Sequence, residues 1–271
     1  MKLFSRKYGS GPAMILLHGL YGSSDNWVAI ARLLSKKYEV HLPDQRNHGQ
    51  SPHSTEHNNE LMKEDLLQYM NDRGLEKAVL AGHSMGGKTI MYFARDYPER
   101  VAALIVIDIL PFPYFGDPVK FSEHRAIIDS LLFLNLNNIK SREEAEQQLS
   151  GSIQQKRITG FLLKNLQRDK NNKFFWKINL HALKDHLTEI FDGFDVKQFN
   201  NVNGITGFPV LFIRGELSDY IPVDSILQIK KVFPYAETVT IPNAGHWLHA
   251  EQPELLVKNI MYFLGDYPEF D

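Results

Sequence analysis

Within Gly82-His83-Ser84-Met85-Gly86-Gly87, a serine stands two residues from a glycine on either side. A serine hydroxyl is a poor nucleophile at neutral pH. Acyl transfer at Ser84 therefore needs a base to take its proton and a third group to hold that base in one tautomer. The base candidate is His246, in the loop Pro242-Asn243-Ala244-Gly245-His246-Trp247-Leu248-His249. Two aspartates compete for the third role. Asp108 closes the apolar run Val101 to Ile107, and Asp219 lies in the turn Arg214-Gly215-Glu216-Leu217-Ser218-Asp219-Tyr220-Ile221-Pro222. Either one, buried beside the imidazole and ionised, would stabilise the imidazolium as it forms. An oxyanion needs donors as well. Glycines in His18-Gly19-Leu20-Tyr21-Gly22 let the Leu20 N–H point into the site, where it would act with the N–H of Met85.

These side chains must be carried by elements that end close together. The apolar run Ala78-Val79-Leu80-Ala81 precedes Ser84 and the helix-compatible segment Lys88 to Arg95 follows it, the strand–turn–helix setting of a nucleophile elbow. Gly82 and Gly86 suit a turn so sharp that a Cβ at either position would crowd its neighbours. Ala13-Met14-Ile15-Leu16-Leu17 is a continuous apolar run, as expected of a parallel strand buried on both faces. Further strands are predicted at Leu3 to Tyr8, Tyr38 to Leu42, Val101 to Ile107, Phe208 to Ile213 and Thr238 to Ile241. Helices are predicted from a Ser24-Asp25-Asn26 cap through Leu34, over Leu61 to Arg73, and from Pro253 through Leu264. Strands alternating with helices predict an α/β fold with a mostly parallel sheet and a site at the carboxyl ends of its strands. Two polar features read as structural. His18 is expected to brace its loop, and Asp44 and Arg46 to satisfy each other and nearby turn amides.

Between Leu110 and Val202 the pattern changes to helical segments at Phe121–Leu134, Ser141–Leu149, Ile153–Leu166 and Leu183–Phe191, with dense aromatics from Phe112 and Phe115 onward. We expect a core of residues 1–109 and 203–271 and an all-helical lid of 110–202 that walls the site with apolar surface. Tyr21, Phe112 and Trp247 are the candidates for lining an acyl pocket.

At 271 residues, 43% hydrophobic and with a formal charge of −2, the chain suits one globular domain with an insertion and argues against a nucleic-acid partner. It has no cysteine, which removes disulfides and thiolate chemistry. The first residues carry no sustained apolar region and no run is long enough to span a bilayer, so a cytoplasmic protein is expected. His181 and His186, or His246 and His249, lack carboxylate or cysteine partners in a zinc pattern, so neither metal nor cofactor is expected. The sequence leaves oligomeric state open.

With these pieces in hand, the chain resembles the serine hydrolases of the α/β-hydrolase fold, and closely the YbfF-type esterases. The resemblance rests on His18-Gly19-Leu20-Tyr21-Gly22, Arg46-Asn47-His48-Gly49-Gln50-Ser51, Gly82 to Lys88, Ile107-Asp108-Ile109, Phe161-Leu162-Leu163-Lys164 and Gly245-His246-Trp247-Leu248-His249-Ala250-Glu251. It implies the α/β-hydrolase fold with a helical lid. It further implies a carboxylic ester hydrolase using a Ser-His-Asp acyl-enzyme mechanism on small-molecule esters with short to medium acyl chains. The resemblance also bears on the acid. Most relatives carry an aspartate three residues after the glycine matched by Gly215, where this chain has Ser218, with Asp219 one step later. The YbfF-type pattern instead takes its acid from the earlier strand, matching Asp108, and lets a serine matching Ser218 contact the histidine. Asp108 is therefore the expected acid and Ser218 an auxiliary.

Two other functions compete. An acyl-CoA thioesterase would use the same triad, with Arg157, Lys164 and Arg168 on one face of a lid helix meeting CoA phosphates. A ligand-binding protein could keep the fold without chemistry, although a complete set of Ser84, Asp108 and His246 argues against that. A haloalkane dehalogenase would need a carboxylate where Ser84 stands.

Overall fold

A computed structural model describes residues 1–114, 118–199 and 203–265. Phe115 and the expected boundaries at 202 and 271 lie outside the described residues. Among those described, nine strands run in chain order as β1 (Ser5–Tyr8), β2 (Ala13–Leu17), β3 (Glu39–Pro43), β4 (Ala78–His83), β5 (Val101–Ile107), β6 (Leu166–Arg168), β7 (Phe174–Trp176), β8 (Val210–Gly215) and β9 (Ala236–Ile241). Seven of them form one sheet in the order β1-β3-β2-β4-β5-β8-β9. Within this sheet only β1 is antiparallel to its neighbour; the other pairings there are parallel.

The continuous apolar runs have a direct cause. Ile15, Leu17, Leu80, Leu104, Val106 and Phe212 face one core, while Met14, Leu16, Val79, Ile105, Leu211 and Ile213 face the other. Side chains alternate across a pleated strand, so a strand covered on both faces must be apolar at every position. The first face is covered by α2 (Asn59–Asp72) and α3 (Met85–Asp96), the second by α1 (Val28–Leu34) and the C-terminal helix Pro253–Gly265. Local chemistry sets the helix starts. The Asn58 side chain caps α2 by accepting from Leu61 N at 2.8 Å. Ser23, rather than Ser24, starts the 3-10 turn that leads into α1, with Asn26 Oδ1 accepting from Ser23 N at 2.7 Å.

Between β5 and β8 lie α4 (Pro118–Phe133), α5 (Arg142–Ser150), α6 (Lys156–Leu162), α7 (Leu180–Asp185) and α8 (Leu187–Ile190), then α9 (Ile226–Val232) follows β8 and α10 (Leu248–Glu251) precedes α11 (Pro253–Gly265). The segment between β5 and β8 is not all-helical. The expected helix over Ile153–Leu166 ends at Leu162, and Leu166 to Trp176 form an antiparallel ladder of β6 and β7. The turn between these strands is held by Asp169 Oδ1, which accepts from Asn171 N and Lys173 N at 2.8 Å each, and by Asn172 at φ 62°. The expected Asp44–Arg46 pairing is also not formed. Asp44 accepts from Ser24 N and Gln50 N, whereas Arg46 Nε donates to the buried Asp65 of α2 at 2.6 Å. Among the described residues no helix is long and apolar enough to cross a membrane.

Candidate active site

β4 delivers Ser84 into the turn ahead of α3 with φ 52° and ψ −118°. Two further residues at neighbouring strand ends share positive φ, Tyr21 at 63° and Asp108 at 52°. Non-glycine residues avoid this region, so three such conformations together mark a place where packing holds the backbone against its preference. Part of that packing is the absence of side chains: a Cβ on Gly86 would come within 2.6 Å of Leu17 O and 2.7 Å of His18 O. The Ser84 amide is tied to Ile107 O at 3.0 Å, and the Asp108 amide to Ile213 O at 2.8 Å, so the ends of β4, β5 and β8 are laced side by side.

Asp108 is fully buried and all its contacts are donors. Oδ1 accepts from Gly215 N at 3.0 Å; Oδ2 accepts from His246 Nδ1 at 2.8 Å and from the Ser218 hydroxyl. A carboxylate only accepts, so His246 carries its proton on Nδ1 and Nε2 is left with a lone pair. Asp219 does not reach the imidazole; it is largely exposed and accepts from Lys120 Nζ at 2.6 Å. The Ser218 hydroxyl meets the carboxylate rather than the imidazole that the resemblance implied, and in turn accepts from Tyr220 N at 3.2 Å.

The loop bearing His246 is pinned at both ends. Gly245 N donates to Glu251 Oε2 at 2.5 Å, and the buried His83 donates from Nε2 to His246 O at 2.7 Å. Burial holds the His83 pKa well below that of a free imidazole, with the nearby His246 and His249 adding to the effect. His18 braces its loop, with Nδ1 on Gly19 O and Nε2 accepting from Gln45 N, each at 2.9 Å.

Ser84, His246, Leu20, Tyr21 and Trp247 line one cavity of about 200 Å³, walled on the side of α4 and α6 by Ile127, Ile158, Phe161 and Leu162. Phe112 is not among the lining residues. It packs in the core, and its carbonyl accepts from the buried Lys88 Nζ at 2.5 Å. Burial pushes the Lys88 ammonium down to about 7, with Asp192 opposing. Lys88 thereby ties α3 to the neck of the segment between β5 and β8, where Phe194 N also donates to Pro111 O at 2.7 Å and Tyr114 N to Phe191 O at 3.0 Å.

Among the lining residues that sequence reasoning missed are two polar aromatics, His124 and Tyr220. Neither belongs to a motif; the one available signal was that Tyr220 directly follows the Ser218-Asp219 pair under consideration. The expected basic helix face is not formed. Arg157 lies on α6, Lys164 in a 3-10 turn and Arg168 on β6. Arg157 pairs with Glu251 at 3.2 Å, and Arg168 donates to Asn172 O at 2.9 Å and to Lys140 O. Among the described residues no cluster of three or more histidine, cysteine or carboxylate side chains is placed to hold a metal ion.

A strained serine, an imidazole oriented by a buried carboxylate and an adjoining apolar cavity can together support acyl transfer. Comparison with known proteins identifies the family and the class of reaction. The family described as alpha/beta hydrolase fold matches residues 12–253. A solved marine microorganism esterase is 43% identical with a TM-score of 0.91, covering 97% of this chain and 99% of its own. The sn-1-specific diacylglycerol lipase ABHD11 of Mus musculus is 34% identical over 94% of this chain and 81% of its own length. Esterase YbfF of Escherichia coli is 29% identical over 93% of each chain. The chain belongs to the alpha/beta hydrolase fold family and is a carboxylic ester hydrolase.

Proposed function

We propose that this hydrolase cleaves small-molecule carboxylic esters through an acyl-enzyme on Ser84, with His246 as base and Asp108 as the acid that orients it. The observation that carries the reading is the bond from His246 Nδ1 to the fully buried Asp108, with Ser84 and His246 on the wall of one cavity. Ser84 Oγ attacks the ester carbonyl while His246 Nε2 takes its proton. The N–H groups of Leu20 and Met85 stabilise the oxyanion; Met85 is the first residue of α3, so its N–H has no acceptor within the helix. His246 then protonates the leaving alcohol and water clears the acyl group. Ser218 is an auxiliary that fills the remaining lone pair of Asp108 Oδ2.

Cavity size and lining bear on substrate. At about 200 Å³ it lies below the ~300–1,000 Å³ of pockets that enclose drug-sized ligands, which favours short to medium acyl chains. Tyr21 and Trp247 contribute to the pocket directly. Residues 110–202 act as the lid of a core made of 1–109 and 203–271. The thioesterase alternative keeps the same triad but loses the single helix face on which it rested, because Arg157, Lys164 and Arg168 lie on three different elements. The test is kcat/KM across p-nitrophenyl esters and acyl-CoA thioesters of graded chain length, with Ser84→Ala as the blank. Preference for short to medium esters, abolished in the blank, supports the reading. Near-native turnover by Ser84→Ala, or rates confined to CoA thioesters, overturns it.

A further inference from the structure

Tyr220 lies face to face on the His246 imidazole, with ring centroids 3.7 Å apart and planes 16° from parallel. Its placement is fixed from several sides. The Tyr220 amide donates to Ser218 Oγ, its carbonyl accepts from the Tyr114 hydroxyl at 2.6 Å, and its hydroxyl meets His124 Nε2 of α4 at 2.9 Å. The directions of the last bond follow from the rest of the network. The Tyr21 hydroxyl donates to His124 O at 3.2 Å and faces His124 Nδ1 at 3.3 Å, so Nδ1 carries the proton. Nε2 of His124 is then an acceptor, and the Tyr220 hydroxyl donates to it. The phenol presents its electron-rich face to His246.

We propose that Tyr220 is a positioning residue for the base: its ring face favours the imidazolium that His246 becomes while Ser84 attacks, and helix α4 holds the ring in place through His124. This rests on the Ser84–His246–Asp108 reading. A cation within about 6 Å of an aromatic face is attracted by the ring quadrupole, and a stacked imidazolium meets that condition. The other groups around His246 do not offer the same service. His83 (centroids 4.6 Å) at the end of β4, His249 on α10 and His124 on α4 are all held neutral by burial. Trp247 meets His246 edge-on at 6.2 Å. Lys120 Nζ, 5.2 Å from the Tyr220 centroid, is balanced by Asp219. Asp108 and the Tyr220 face attract the cation directly, and Glu123 of α4, on the wall of the same cavity, is unchanged across variants at 220.

The test uses inactivation by an alkyl fluorophosphonate. Ser84 Oγ attacks phosphorus, fluoride leaves, and the Ser84 proton passes to His246, so the rate follows the unprotonated fraction of the base. The second-order rate is measured against pH for the wild type, Tyr220→Phe, Tyr220→Leu, and proteins with progressively fluorinated phenylalanines at 220, which keep the shape but weaken the face. Tyr220→Phe, which keeps the ring face but loses the bond to His124, is the reference for the fluorinated series. The acid limb should move to lower pH as fluorines are added, and by about 0.5–1 unit in Tyr220→Leu. An acid limb that stays put across the fluorinated series overturns the proposal, even where rates fall. Failure of the wild type to label at Ser84, or labelling that persists in Ser84→Ala, refutes the triad instead.

Discussion

Replacing Asp108 by asparagine changes one oxygen into an NH2 group in a place where every neighbour donates. Oδ1 faces Gly215 N–H; Oδ2 faces His246 Nδ1–H and the Ser218 hydroxyl. If the amide oxygen takes the Oδ2 position, the NH2 is driven against Gly215 N–H, and a buried donor is left unpaired at a cost of about 1–3 kcal/mol. If it takes the Oδ1 position, the NH2 faces His246 Nδ1, which must become an acceptor. The proton then moves to Nε2 and the imidazole can no longer take one from Ser84. Loss of the acid's orienting role on this scale lowers kcat about 10⁴-fold. Asp219→Asn takes the charge from an exposed carboxylate but leaves an amide oxygen to accept from the buried Lys120 Nζ, and it does not touch His246, so kcat should stay within about threefold of the wild type. The assay is kcat on a p-nitrophenyl ester, with urea unfolding of both variants as the control. An Asp108→Asn enzyme within tenfold of wild type, or an Asp219→Asn enzyme equally impaired, would refute the argument.

Ser218→Ala removes one donor from Asp108 and one acceptor from Tyr220 N, and should lower kcat about tenfold with KM little changed, as measured on the same ester. Gly86→Ala places a Cβ against the carbonyls of Leu17 and His18 and should cost about 1–3 kcal/mol in urea unfolding as well as activity. Burial holds His57, His124 and His249 near about 3, below the ~6.5 of an unfolded histidine. The unfolded chain binds more protons between those values, so this stability is complete above pH 6.5 and is lost as pH falls. For three groups the loss reaches up to about 4 kcal/mol per pH unit. Urea midpoints that do not move between pH 7.5 and 5 would contradict this.

Much of the fold was legible because its signals are local. An unbroken apolar run betrays a strand with two buried faces, and glycines around Ser84 betray a turn with no room for a Cβ. What was not legible depends on distance through space. Asp108 and Asp219 both lie beyond the carboxyl ends of adjacent strands, and nothing along the chain says which one the His246 loop folds against. Arg46 finds Asp65 rather than the nearby Asp44 because α2 packs beneath its loop. The β6–β7 ladder escaped notice because three-residue strands are too short to show alternation, although Asp169 to Lys173 carries turn residues. Tyr220 and His124 escaped for a related reason. Their roles come from stacking and from a bond across 96 positions of sequence.

The buried ammonium of Lys88 bears on any attempt to exchange lids between enzymes of this fold. The carbonyl it caps belongs to Phe112 at the start of the segment, and a Cβ on Gly193 at its end would sit 2.7 Å from Nζ. The socket for the neck is therefore written into the helix that follows the serine. A chimera cut only at the ends of β5 and β8 would transplant the plug and leave its socket behind, so the heritable unit of specificity is discontinuous in the gene.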